Sequence, residues 1–158
     1  MDILIEEHQR VLMALVDNKV DFLVIGGYAV IFYGYERTTG DIDIWLKPDN
    51  SNKPKLISAL KELDVDAESI KAIDAIDLAE VQMFYMGDKP QRIDFLTKVY
   101  ALSYEEAISE ANYFLLGKRR VPILNYQHLI LSKFNTGRAK DMGDLEELQR
   151  INKYREKR

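Results

Sequence analysis

Residues 41–46, Asp-Ile-Asp-Ile-Trp-Leu, place two carboxylates two positions apart inside an apolar run. Alternation along a strand sends Asp41 and Asp43 to one face and Ile42 and Ile44 to the other. Two like charges on one face repel, and no basic residue within this run neutralises them. A strand tolerates the pair where a cation binds. Mg²⁺ suits such a site, since it is usually held by one or two carboxylates together with substrate phosphates. The same tripeptide also occurs on the wet face of edge strands, so the spacing alone leaves both readings open.

A second feature lies upstream, where Gly26 and Gly27 end the apolar run "DFLVIG" (21–26) and lead into "YAVIFYGY" (28–35). At the junction of a strand and a helix, backbone N–H groups can face an anion with no Cβ in the way. "GGYAVI" lacks the G-x-G-x-x-G spacing and no Gly-Lys-Ser/Thr follows, which argues against dinucleotide and Walker-type sites. What remains is an anion-holding turn followed by a cation-holding strand. A nucleoside triphosphate with Mg²⁺ requires both parts.

These residues must be positioned by a chain of 158 residues, a length that predicts one domain with its own core. Hydrophobic residues make up 47% and charged residues 30%, an ordinary globular balance. No run approaches the roughly 18 apolar residues of a membrane span, and "MDILIEEHQR" is too acidic for a signal peptide. Cysteine is absent, which removes thiolate chemistry and suits a reducing cytoplasm. The net charge of -4 argues against a general nucleic-acid coat, leaving "GKRR" (117–120) and "KYREKR" (153–158) as the dense basic clusters.

Helical spacing of Ile3, Val11, Leu12, Leu15 and Val16 predicts an amphipathic first helix. A strand over 21–26, a short helix closed by Gly34 and a strand over 41–46 follow. The pattern continues with a helix around 52–63 and strands over 81–86 and 91–97. Ser103 with Glu106 forms a capping-box signature for a helix over 103–111. A strand pair over 113–124 precedes two closing helices, about 126–135 and 140–153, joined by "NTGR". Strands and helices mix without regular alternation, which predicts an α+β fold on a mixed sheet. His8 and His128 show no ligand spacing and read as packing or surface residues. Asp141 and Asp144 read as structural carboxylates at a helix start.

Gly-Gly followed by Arg37-x-Thr39-x-Asp41-x-Asp43 resembles the nucleotidyltransferase superfamily built on a polymerase-β-like palm. The nearest likeness is to small nucleotidyltransferase-like proteins, including the AbiEii toxin group. "RIDFL" supplies the third carboxylate of that pattern as Asp94, and 129–148 looks like its C-terminal helices, with Lys133, Lys140 and Asp141 in order. The resemblance spans roughly residues 20–150, with a palm core over about 20–124 and closing helices over about 125–155. It implies transfer of a nucleoside monophosphate from an NTP to an RNA, protein or small-molecule acceptor. It further implies that Asp41, Asp43 and Asp94 hold two Mg²⁺ ions, with Mn²⁺ as a substitute. Gly26, Gly27, Arg37, Thr39 and Lys133 would serve the triphosphate. A toxin role with an antitoxin partner, and a catalytically silent nucleotide- or partner-binding relative, both fit the same likeness.

Overall fold

Apolar alternation and turn residues resolve into six strands and seven helices in the computed structural model, which describes residues 4–134, 136 and 138–156. Ile3, residues 135 and 137 of the "NTGR" connector and residues 157–158 of the basic tail lie outside the described residues.

Helix α1 (Glu6–Asp17) buries Val11, Leu12 and Leu15. Strand β1 (Phe22–Ile25) is buried at all four positions and runs directly into α2 (Gly26–Phe32). The helix thus begins at Gly26, two residues before the sequence pattern places it. Gly26 makes the turn possible by adopting φ +70°. Strand β2 (Ile42–Leu46) follows, then a 3-10 turn at Asn50–Asn52 and helix α3 (Lys53–Glu62). Helix α4 (Ala67–Asp74) was not foreseen in the pattern. Asp66 caps it, its carboxylate accepting from Ser69 N at 3.0 Å. Strands β3 (Met83–Met86) and β4 (Ile93–Leu96) precede α5 (Tyr104–Ser109), where Ser103 Oγ accepts from Glu106 N at 3.2 Å as the capping signature predicts. The chain closes with β5 (Asn112–Leu116), β6 (Arg119–Ile123), α6 (Tyr126–Lys133) and α7 (Ala139–Glu156).

The strands form one mixed sheet in the order β3-β4-β2-β1-β6-β5, confirming the α+β expectation. Strands β1 and β2 are antiparallel, whereas β2 and β4 are parallel. Pairing of β1 with β6 is confined to Val24 and Ile123, and neighbouring Pro122 has no N–H to extend it. Ile42, Ile44 and Leu46 are fully buried on one face of β2. Trp45 is buried on the other, packed edge-to-face on Tyr104 with ring centroids 5.6 Å apart. Full burial of side chains this large stabilises the fold by roughly 1.5–3 kcal/mol each, so the core anchors β2 from both sides. Among the described residues, no helix is long and apolar enough to cross a membrane.

Candidate active site

The register of two strands brings the carboxylates together. Asp43 on β2 pairs with Asp94 on parallel β4, and Asp94 pairs in turn with Tyr85 on β3. Neighbouring strands lie about 4.8 Å apart, so the two carboxylates project side by side from one face. Asp41 stands just before β2, its Oδ1 accepting from Arg92 N at 2.9 Å. All three face a cleft of about 760 Å³, which Gly26, Gly27 and Thr39 also line.

Crowding alters the chemistry of Asp43. Burial, then the charge of Asp94, pushes its carboxyl up to about 6, while Lys133 pulls the other way and Asp41 adds a smaller push. A divalent cation would relieve this repulsion, so the donor set fits a hard metal ion. The set is not preassembled, however: among the described residues, no three carboxylate or imidazole groups already form a metal-ready cluster. Asp94 is already engaged by Arg92. The arginine Nε donates to Asp94 Oδ1 at 2.6 Å and its Nη2 to Oδ2 at 3.3 Å. The same guanidinium lies 4.5 Å over the Tyr85 ring. Arg92 was missed at the level of sequence, although its place two residues before Asp94 puts it on the same face.

The two glycines serve the carboxylates as well as the cleft. A Cβ on Gly26 would lie 2.0 Å from Asp43 Oδ2, so only glycine lets that carboxylate rest against the turn. A Cβ on Gly27 would meet Thr39 Oγ1 at 2.5 Å and Arg37 Nη2 at 3.0 Å. Gly40, also missed, packs against the Pro90 carbonyl, which a Cβ would approach to 2.0 Å. His8 completes this support: fully buried, it joins Tyr28 Oη at 2.9 Å and the Gln91 carbonyl at 3.2 Å. Burial lowers its pKa, which favours a neutral ring.

Other expected residues sit differently. Thr39 Oγ1 donates to the Asp41 carbonyl at 3.3 Å, bracing the approach to β2. Arg37 Nε lies 3.4 Å from Asp144 Oδ1, so its charge is directed to α7. Lys133 lines the cleft, yet its Nζ lies 3.1 Å from Asp141 Oδ1 and 3.0 Å from Asp144 Oδ2. Asp141 also accepts from Thr136 Oγ1 and Arg138 Nε, both at 2.7 Å. Burial alone would raise its pKa, but Thr136, Lys133 and Arg138 together hold it below the usual carboxylate range. Asp141, in the first turn of α7, and Asp144 farther along it thus pair with a lysine that the family resemblance assigns to the triphosphate. Lys89, Lys98, Arg138 and Lys140 add positive charge around the cleft.

The basic cluster at 117–120 lies on the β5–β6 hairpin, at the sheet edge opposite β3 and β4. Arg119 Nε and Nη2 donate to the two carboxylate oxygens of Asp17 at 2.7 and 2.8 Å, and Arg120 lies 4.3 Å over the Tyr113 ring. Both arginines are engaged within the fold and far along the sheet from the carboxylates.

The fold has solved counterparts. The structure is similar to that of the lincosamide antibiotic adenylyltransferase LnuA with lincomycin bound, with a TM-score of 0.57 and 16% identity over 95% of this chain and 99% of that one. It is also similar to TM1012 from Thermotoga maritima, a provisionally assigned nucleotidyltransferase, with a TM-score of 0.50 and 12% identity over 99% and 98% of the two chains. At such identities the likeness is one of fold. No curated protein sequence matches the chain. A family model described as nucleotidyl transferase of unknown function (DUF2204) matches residues 5–158.

Proposed function

The chain belongs to this nucleotidyl transferase family, and on that premise we propose that it moves a nucleoside monophosphate from an NTP to an acceptor hydroxyl in a divalent-metal-dependent reaction. The register of Asp43 against Asp94, at a glycine turn and a cleft with a cationic rim, carries this reading.

Asp41, Asp43 and Asp94 would hold the metal, which supplies charge neutralisation on the triphosphate and a lowered pKa for the attacking hydroxyl. The chain's own residues do the rest. Gly26 and Gly27 line the cleft where the triphosphate would lie, and their lack of a Cβ lets Asp43, Thr39 and Arg37 pack against the turn beside it. Lys98, Arg138 and Lys140 attract the polyanion at the rim. The acceptor oxygen bonds to the α-phosphorus, the bond from that phosphorus to the β-bridging oxygen breaks, and pyrophosphate leaves. The hydroxyl proton passes to a carboxylate of the cleft or to solvent water. Lys133 acts indirectly here: bound to Asp141 and Asp144, it fixes α7 against α6 at the cleft wall.

The test is pyrophosphate release from each of the four NTPs with Mg²⁺ or Mn²⁺. ATP is the first donor to try, because the structurally similar LnuA is an adenylyltransferase. Asp43→Asn and Asp94→Asn should each lower release by at least about 100-fold, the scale of losing a charge that acts mainly on the transition state. Release that survives both changes would overturn the assignment. NTP binding without release by wild-type protein would favour the catalytically silent relative.

A further inference from the structure

Trp45, the chain's one tryptophan, is buried, and its indole Nε1 has no hydrogen-bond partner among the described residues. It follows Asp43 by two positions on β2, so alternation places it on the carboxylates' face of the sheet. Its register partner on β4, Leu96, lines the catalytic cleft. Past the carboxyl ends of β2 and β4 lies a second cavity of about 570 Å³. Trp45, Pro48, Val99, Leu102 and Tyr104 supply its apolar lining, and Lys47, Asp49 and Glu105 also border it. Lys98 and Val99 line both this cavity and the cleft. The two hollows therefore meet at one short segment.

Each property narrows the occupant. The volume is that of a small-molecule pocket. Aromatic and branched side chains favour an apolar, ring-bearing body. Lys98 at the junction disfavours a cationic group on the side nearest the carboxylates.

We infer that this cavity is the acceptor site, and that the acceptor is a small molecule with an apolar ring-bearing body and a hydroxyl reaching across Lys98 and Val99 into the cleft. The inference rests on the nucleotidyl-transfer reading. In the reaction, the acceptor's hydroxyl oxygen bonds to the α-phosphorus, pyrophosphate departs with the electrons of the broken P–O bond, and the hydroxyl proton goes to a cleft carboxylate. The product is the acceptor's nucleoside monophosphate ester.

Three measurements separate the cavity from the cleft. Trp45 emission is titrated with 2-naphthol, a neutral ring-bearing hydroxyl probe, and should change saturably. Mg²⁺-NTP binding is followed by thermal shift, which reports the cleft and also shows that a variant is folded. NTP labelled at the α-phosphate is then incubated with the low-mass and macromolecular fractions of a cell lysate. Label should enter the low-mass fraction, and Leu102→Trp, which narrows the cavity, should reduce it at least tenfold while the Mg²⁺-NTP shift is kept. If Leu102→Trp fails to fold, Leu102→Glu makes the same test by charge. Emission unmoved by 2-naphthol, label confined to RNA or protein, no labelled product at all, or low-mass labelling indifferent to Leu102 would each overturn the acceptor site. Loss of the Mg²⁺-NTP shift in wild-type protein would instead overturn the reading of the cleft, and the inference with it.

Discussion

Arg92 donates to both carboxylate oxygens of Asp94 while its guanidinium lies 4.5 Å over the Tyr85 ring. The third carboxylate of the cleft is thereby held by a cation that the chain itself supplies. A metal ion approaching Asp94 competes with the guanidinium for the same oxygens, and its charge is repelled by it.

Arg92→Gln should therefore tighten Mn²⁺ binding to the nucleotide-free protein by roughly 3- to 10-fold, the scale of one screened charge contact near a surface. Calorimetric titration of wild type and variant measures it. Equal or weaker binding by the variant would show that the ion pair and the metal coexist.

Asp43 makes stability depend on pH in a defined direction. Its folded carboxyl lies near 6 against 3.8 for an ordinary aspartate, so the folded state holds the proton more tightly. That contribution is fully present below pH 3.8 and is lost as pH rises through about 6. By pH 7 the loss is on the order of 3 kcal/mol. Asp43→Asn should flatten the curve between about pH 4 and 6 and leave the metal-free protein about 1–3 kcal/mol more stable at pH 7.5. The same variant should lose most of the stabilisation that Mg²⁺-NTP confers by mass action. Thermal melts with EDTA and with Mg²⁺-NTP check both halves. A destabilised variant with an unchanged ligand response would make the aspartate architectural.

Gly26→Ala should fail on two counts. Its backbone sits at φ +70°, and the new Cβ would meet the Asp43 carboxylate. The expected cost is roughly 1–3 kcal/mol of stability, from backbone strain alone. Displacement of Asp43 should also remove the Mg²⁺-NTP thermal shift. Retention of that shift at reduced stability would separate the turn from the site.

Lys133→Met tests whether the lysine serves structure or phosphate. Removing it leaves Asp141 to Thr136 and Arg138 and Asp144 to Arg37, without their shared buried cation, which should cost about 1–3 kcal/mol. Asp141 is held below the ordinary range, so its contribution is present above pH 3.8 and disappears as pH falls through its lower folded pKa. Urea melts at neutral pH give the comparison. A phosphate-binding lysine would instead leave stability intact and raise the KM for the NTP.

Much of the site can be read from local sequence. Alternation in "DIDIWL" placed Asp41 and Asp43 on one face, and "RIDFL" marked Asp94, because strand period is set by each residue's own backbone. Gly26-Gly27 likewise announced a turn, and Ser103 with Glu106 announced a helix start, since both depend on neighbours within a few positions. Helix α4 was missed although Asp66 offers an N-cap and Ile70 and Ile73 stand at helical spacing, because eight residues give little more than two turns of pattern.

What tertiary structure alone decided is which residues meet. That Asp43 stands beside Asp94 follows from the β2–β4 register, set by chain folding across fifty residues and not by either strand's pattern. Lys133, which lines the cleft, also pairs with two aspartates of the next helix, and Arg37 pairs with one of them. Charged side chains burdened by burial take the nearest opposite charge that packing offers. Sequence shows that the charges exist. Only the packed chain shows which are spent on one another and which remain turned toward the cleft.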